Sequence, residues 1–294
     1  MRRFAPAKRY PMIDPIVVDE IIDRALAEDL GFCDLTSELV IPADARAELA
    51  LNARQDIVVA GLDVAARVFR RRVPECRIEL RVKDGERVTA GAGMGRVEGP
   101  ARGLLAVERT ALNFLQHLSG IATLTAQYAE RVAGTRAVLI DTRKTIPGLR
   151  ALEKHAAHLG GARNHRLRLD DGVLIKDNHI SVCGSLTAAV ERARAGAPVL
   201  TRIEVECDTL DQVGEAIRAG ADMILLDNMG LEDMRQAVAL SGGRIPLEAS
   251  GGVRLENIRA IAETGVDFIS VGRITQSAPA VDIGLDAVIK SQRG

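Results

Sequence analysis

A chain of 294 residues in which 39 Lys and Arg nearly balance 40 Asp and Glu carries a net charge of −1. Such a length supports one large domain or two modest ones, and the even charge excludes a general nucleic-acid or membrane-surface field. With no Trp, two Tyr and five Phe, the sequence also lacks the rings of a base-stacking platform, so its core must rest on Leu, Ile, Val and Ala.

From Pro15 onward, Ile16, Val17, Ile21, Ile22 and Leu26 recur at helical spacing, and Gly31 marks the expected helix end. Extended runs follow at Ala47 to Leu51, Ile57 to Val59 and Ile78 to Val82, with Asp84-Gly85 as a turn between two short pieces. Leu104, Val107, Ala111, Phe114 and Leu118 then step by three and four, an amphipathic stripe. Arg109 falls on the opposite face, where periodicity alone reads it as a solvated side chain.

Near Ile121 the pattern becomes a strand–helix alternation. Extended apolar segments are predicted at 137–141, 172–176, 202–206, 223–227, 245–249 and 267–271. Helices are predicted around Leu149 to His158, Leu186 to Ala195, Leu210 to Ala219, Leu231 to Leu240 and Leu255 to Thr264. Gly196, Gly220 and Gly265 supply the expected helix stops. Sequential units of this kind imply parallel strands covered by helices, and their number fits a barrel slightly smaller than the usual eight-unit form. A doubly wound open sheet is the alternative, but no glycine-rich dinucleotide loop follows the first strand.

Polar residues close each strand in turn: Arg143 and Lys144, Lys176, Glu204 and Glu206, Asp227 and Asn228, Ser250-Gly251-Gly252, and Ser270-Val271-Gly272. In a parallel barrel these ends share one rim, where active sites are built. Arg143, Lys144 and Lys176 each follow an apolar run that fixes their direction, so the cations converge. Convergent Arg and Lys suit carboxylates and phosphates, and Arg166 adds a further guanidinium. His165 beside it can donate a hydrogen bond when charged; a lone histidine is more often a structural partner, but its place in this cluster favours the functional reading. The two Ser/Gly segments read singly as turns. As a pair on consecutive late strands they match the recurring phosphate site of barrels. Glu206 and Asp227 end neighbouring strands and suit ribose hydroxyls, a hydrated Mg2+, or ion pairing to Lys144 or Lys176. His179 is placed to orient Lys176, while His117, His155 and His158 fall on helix faces without an assigned role.

Cys33, Cys76, Cys183 and Cys207 show neither CxxC pairing nor His at metal-ligand spacing, which predicts reduced thiols in a cytoplasmic protein. The start Met1-Arg2-Arg3-Phe4 lacks the apolar stretch of a signal peptide, and no apolar run approaches membrane-spanning length.

Several blocks together resemble the quinolinate phosphoribosyltransferase family. They are Glu28-Asp29-Leu30-Gly31 with Asp34 and Thr36, Glu108-Arg109 with Ala111 to Leu115, and Leu118 to Thr123. Further on come Asp141 to Thr145 with Pro147-Gly148, Asn164-His165-Arg166, Leu174 to His179, Glu204-Val205-Glu206, Leu225 to Asn228, and Glu248 with Ser250-Gly251-Gly252. The likeness spans nearly the whole chain and is most specific from Thr142 to His179.

The resemblance implies an N-terminal α/β sandwich domain over residues 1–115, joined by a C-terminal helix at about 279–294, and an incomplete α/β barrel over 116–278. It implies a homodimer in which Arg109 completes the partner's site, which gives that off-stripe arginine a role. The implied reaction takes quinolinate and phosphoribosyl pyrophosphate to nicotinate mononucleotide, pyrophosphate and carbon dioxide, with Mg2+, in NAD biosynthesis. On this reading Arg109, Arg143, His165 and Arg166 hold the quinolinate carboxylates, and Thr142 is a further substrate-binding residue. Lys144 and Lys176 neutralise the phosphates, while Glu206 and Asp227 serve the ribose and Mg2+. Those four are the expected catalytic groups. Ser250, Gly251, Gly252, Ser270, Val271 and Gly272 receive the 5-phosphate.

Three residues depart from the family pattern: Cys33 where Gly is usual, Ile146 where Thr is common, and Gln276 where His is usual. The nearest rival is a paralogue of the molybdenum-transport-associated kind acting on another ring; Lys176 with both arginines favours quinolinate. A silent anion-binding protein has no need of Glu206 and Asp227, and a nicotinamide-dependent oxidoreductase lacks its dinucleotide loop and a candidate hydride-site Tyr.

Overall fold

The computed structural model describes residues 13–288. Within them the first unit runs to Ala126 and takes in Ile146–Gly161 and the stretch from Ser277, and the second comprises Gln127–Thr145 and Ala162–Gln276.

Asp14 starts α1 (Pro15–Leu30) by accepting the Ile16 N–H at 2.9 Å, with Pro15 preset for the first turn. Val18, Ile22 and Leu26, four apart, are its buried residues. Asp34 caps the short α2 (Leu35–Val40). Then come β1 (Arg46–Ala53), β2 (Ile57–Val58), α3 (Leu62–Arg72), β3 (Arg77–Leu80), β4 (Arg87–Val88) and β5 (Gly93–Pro100). The long α4 (Ala101–Val132) buries Leu104, Val107, Ala111, Phe114 and Leu118, the residues of the stripe, and leaves Arg109 exposed. Two hydroxyls on its inner face are used: Ser119 accepts the Ala60 N–H at 3.0 Å and Thr123 the Val58 N–H at 2.9 Å.

The second unit opens with β6 (Val138–Ile140); the chain then contributes α5 (Arg150–Leu159) to the first unit. It continues through β7 (Val173–Ile175), α6 (Asp177–Cys183), α7 (Leu186–Gly196), β8 (Ile203–Cys207), α8 (Leu210–Ala219), β9 (Met223–Asp227), α9 (Leu231–Ser241), β10 (Leu247–Ser250), α10 (Ile258–Ala262), β11 (Phe268–Ser270) and α11 (Arg273–Gln276). Ser185 caps α7, and Thr209 with Gln212 forms a capping box on α8, so local chemistry sets these starts.

The last element, β12 (Ile283–Ala287), lies in the first unit and corrects an expectation: the C-terminal helix at about 279–294 is a strand here, and residues 289–294 lie outside the described ones. It runs antiparallel to β1 in a sheet of order β12-β1-β5-β3. The physical reason is the open side of β1, whose backbone groups need partners; Val288 N–H bonds Glu48 C=O at 2.8 Å just beyond the strand.

The six strands of the second unit form one parallel sheet of order β6-β11-β10-β9-β8-β7. Ile203, Val205, Ile224, Leu226, Ala249 and Ile269 are fully buried in it, as expected of strands covered on both faces. The order begins with β6 and ends with β7, although these strands are consecutive in the chain, so the barrel is incomplete. A short extended piece lies along β6 at this gap: Arg163 N–H bonds Leu139 C=O at 2.9 Å, and Asp141 N–H bonds Arg163 C=O at 3.1 Å.

Candidate active site

A cavity of about 680 Å³ opens at the carboxyl ends of the parallel strands. After β6, the turn Asp141-Thr142-Arg143-Lys144 forms part of its wall. Asp141 is fully buried and accepts Asn164 Nδ2–H at 2.6 Å and the His165 backbone N–H at 2.8 Å, which fixes the turn against the segment at the gap. The Thr142 hydroxyl accepts the Lys144 N–H at 3.0 Å, and Thr275 donates to the Lys144 carbonyl at 2.6 Å. Arg143 follows with its Nε buried and without a hydrogen-bond partner. Arg166 stands close by: burial lowers its pKa, and the charge of Arg143 lowers it further. Two crowded guanidinium groups are a standing cost unless an anion bridges them.

Lys176 directly follows β7, and its Nζ pairs with Glu206 Oε2 from β8 at 2.6 Å. Lys176 is aligned by a bond from its own N–H to His179 Nδ1 at 2.9 Å. Asp227, at the end of β9, accepts Asn228 Nδ2–H at 2.7 Å. Asn228 is the one described non-glycine residue with a left-handed backbone, φ 54°, and its N–H bonds Ser250 C=O at 3.0 Å. Gly251 packs so tightly here that a Cβ would lie 2.2 Å from Asn228 Oδ1. Gly272 likewise leaves only 2.7 Å between an added Cβ and Lys144 Cδ. Ser250, Gly251, Gly252, Ser270, Val271 and Gly272 all line the cavity.

His165 lies in a different setting from its neighbours. Its Nε2 meets Glu204 Oε2 at 2.9 Å and Glu248 Oε2 at 3.4 Å, and both carboxylates are buried. Burial acts to lower the His165 pKa, but the hydrogen bonds and charges of Glu204 and Glu248 outweigh it and raise it to about 10. Burial, then the charge of Glu248, pushes Glu204 up to about 7. The trio therefore holds protons tightly. The His165 Nδ1 faces the Arg166 backbone N–H at 2.8 Å. Both ring nitrogens have neighbours inside the protein, and His165 lies on the cavity wall beside Arg166. That backbone contact also ties the imidazole to the segment that carries Arg166.

Every expected site residue except Arg109 lies on this cavity wall; Arg109 is exposed on α4 in the first unit. Asp141, Glu248, Arg254 and Arg273 also line it and were missed by sequence reasoning, as were the apolar Leu174, Leu225 and Val253. Strand alternation carried a signal for Glu248, which shares a face with Ser250 two residues on. Of the departures from the family pattern, Gln276 lines the cavity, whereas Cys33 and Ile146 are exposed. His117 pairs with Glu153 at 2.8 Å in the first unit.

Family models described as quinolinate phosphoribosyl transferase, N-terminal and C-terminal domains, match residues 34–119 and 121–286. The chain belongs to the quinolinate phosphoribosyltransferase family. Curated relatives of this family include the nicotinate-nucleotide pyrophosphorylase [carboxylating] of Mycobacterium leprae, 44% identical over 91% of this chain and 96% of that protein. The probable enzyme of the same name from Synechocystis is 43% identical over 93% of each. Among solved structures, the nicotinate-nucleotide pyrophosphorylase of Francisella tularensis superposes with a TM-score of 0.91 at 37% identity, covering 96% of this chain and all of that one. Among the described residues no helix is long and apolar enough to cross a membrane.

Proposed function

We propose that this family member transfers the phosphoribosyl group of phosphoribosyl pyrophosphate to the nitrogen of quinolinate, giving nicotinate mononucleotide, pyrophosphate and carbon dioxide. The carrying observation is the buried, partnerless Nε of Arg143 crowded against Arg166 on the cavity wall. A ring with two adjacent carboxylates supplies the two anionic groups that relieve both guanidiniums, which a single carboxylate does not. The carboxylating relatives favour this reading over a paralogue acting on another ring.

Positioning and electrostatics carry the transfer, with no covalent nucleophile required. Lys144 and Lys176 neutralise the pyrophosphate, which departs with its bonding pair as the nitrogen–carbon bond forms. Positive charge develops at the anomeric carbon, where the carboxylates of Glu206 and Asp227 stabilise it. The new pyridinium nitrogen accepts the electron pair left when the adjacent carboxylate leaves as carbon dioxide, and a proton then takes its place on the ring.

Mg2+ takes one or two carboxylates together with phosphate oxygens and water. Glu206 and Asp227, at adjacent strand ends on the wall of a roomy cavity, fit that demand and would hold the ion. When bound, the ion supplies further neutralisation of the pyrophosphate. Arg109, exposed on a helix that otherwise turns its apolar stripe inward, is assigned to the second subunit's site in a homodimer. All four cysteines are free thiols, which supports a cytoplasmic location.

The test is incubation of the purified protein with quinolinate, phosphoribosyl pyrophosphate and Mg2+, following pyrophosphate and carbon dioxide together. Equimolar release is expected, with nicotinate a poor replacement for quinolinate. Release of neither product, or equal use of nicotinate, overturns the proposal.

A further inference from the structure

Arg254 and Arg273 line the cavity, yet the carboxylate and pyrophosphate roles above leave both without a task. Each directly follows a glycine segment at a late strand end: Arg254 after Gly251-Gly252-Val253 beyond β10, Arg273 after Val271-Gly272 beyond β11. Both are exposed, and neither guanidinium has a hydrogen-bond or carboxylate partner among the described residues. The Arg254 backbone N–H is used, bonding Asn257 Oδ1 at 2.7 Å, so its loop is fixed while the side chain stays available. Both charges act on one buried phenol. Tyr128, whose phenol is raised by burial, is pulled back by Arg273 and more weakly by Arg254.

A second observation points the same way. Ser270 is 4% exposed, lies on the cavity wall, and has an Oγ with no hydrogen-bond partner. Gln276, on the same wall, stands where the family usually has His. An amide there offers a neutral hydrogen bond but no charge.

We infer that Arg254 and Arg273 bind the 5-phosphate of the phosphoribosyl donor, with the Ser270 hydroxyl as a further donor, and supply the charge that Gln276 lacks. The inference rests on the phosphoribosyl-transfer reading and narrows it. A phosphomonoester carries roughly −2 at neutral pH, and a guanidinium offers both charge and paired donors to its oxygens. Arg143 and Arg166 are committed to the carboxylates and Lys144 and Lys176 to the pyrophosphate, so the remaining cations on the wall fall to the remaining phosphate.

Arg254→Ala, Arg273→Ala and the double variant test this. Both side chains are exposed, so the fold is retained, which far-UV circular dichroism checks. The KM for phosphoribosyl pyrophosphate is expected to rise about tenfold in each single variant and further in the double, while the KM for quinolinate stays within about twofold. Calorimetric titration with ribose 5-phosphate, which needs no turnover, is expected to weaken in parallel. Adding Gln276→His to Arg273→Ala is expected to recover part of the loss. An unchanged donor KM and ribose 5-phosphate affinity in the double variant overturns the inference, as does an equal rise in the quinolinate KM. If the wild type turns over no quinolinate but binds ribose 5-phosphate in an arginine-dependent way, the substrate reading fails and the phosphate site stands.

Discussion

Gly251 and its neighbour Gly252 make a paired test of how closely the β9 and β10 ends are fitted. Both have left-handed backbones, φ 87° and 61°, so an alanine at either costs about 1–2 kcal/mol. Their surroundings differ sharply. A Cβ on Gly252 meets nothing within 4 Å, whereas one on Gly251 falls 2.2 Å from Asn228 Oδ1 and 2.9 Å from Asn228 N. Gly251→Ala must therefore displace Asn228 and break its backbone bond to Ser250, a further loss of about 1 kcal/mol. The expected totals are about 2–3 kcal/mol for Gly251→Ala and about 1–2 kcal/mol for Gly252→Ala. With no Trp in the chain, urea unfolding followed by far-UV circular dichroism is the suitable assay. Because Asn228 also donates to Asp227, Gly251→Ala is expected to lower turnover along with stability. Equal destabilisation by the two substitutions refutes the argument from contact.

Lys176→Ala removes a half-exposed ion pair, so its stability is expected to change by less than about 1 kcal/mol while turnover falls roughly a hundredfold or more; near-normal rates in single-turnover assays refute its role. Mixing Arg109→Ala and Lys176→Ala subunits is expected to restore about a quarter of wild-type activity, since about half the random dimers then hold one complete site; no recovery refutes sharing across an interface. His165 and Glu204 both hold protons more tightly folded than unfolded, so their contribution to unfolding free energy is greatest in acid and declines as pH rises through about 7 towards about 10. Glu204→Gln is expected to flatten that decline between pH 7 and 10 in denaturant titrations, and an unaltered slope refutes the shared proton.

The parallel sheet was readable because its strands are buried on both faces and therefore appear as unbroken apolar runs. The segment predicted at 223–227 is β9 to the residue, and the one at 202–206 differs from β8 by a single position. Strand β5 was not readable: Gly93, Gly95, Gly99 and Pro100 disguise it as loop, and it exists because β1 and β3 pair on either side. Strand β12 was hidden for a related reason, since its extended form comes from β1 and not from its own five residues. At the site, cations that end strands were legible and the arginines just past the glycine loops were not, because periodicity stops where the strand does. The engagement of both His165 nitrogens was beyond reach altogether. It depends on Glu204 and Glu248 lying on strands separated by β9 in the sheet.

A hoop with one missing weld yields there first, and in this barrel that joint lies between β6 and β7. Arg143 hangs from one lip and Arg166 from the strip of chain laid along it on the way to the other. On the proposed reading, a dianionic ring held by both would bridge the break that the backbone leaves open.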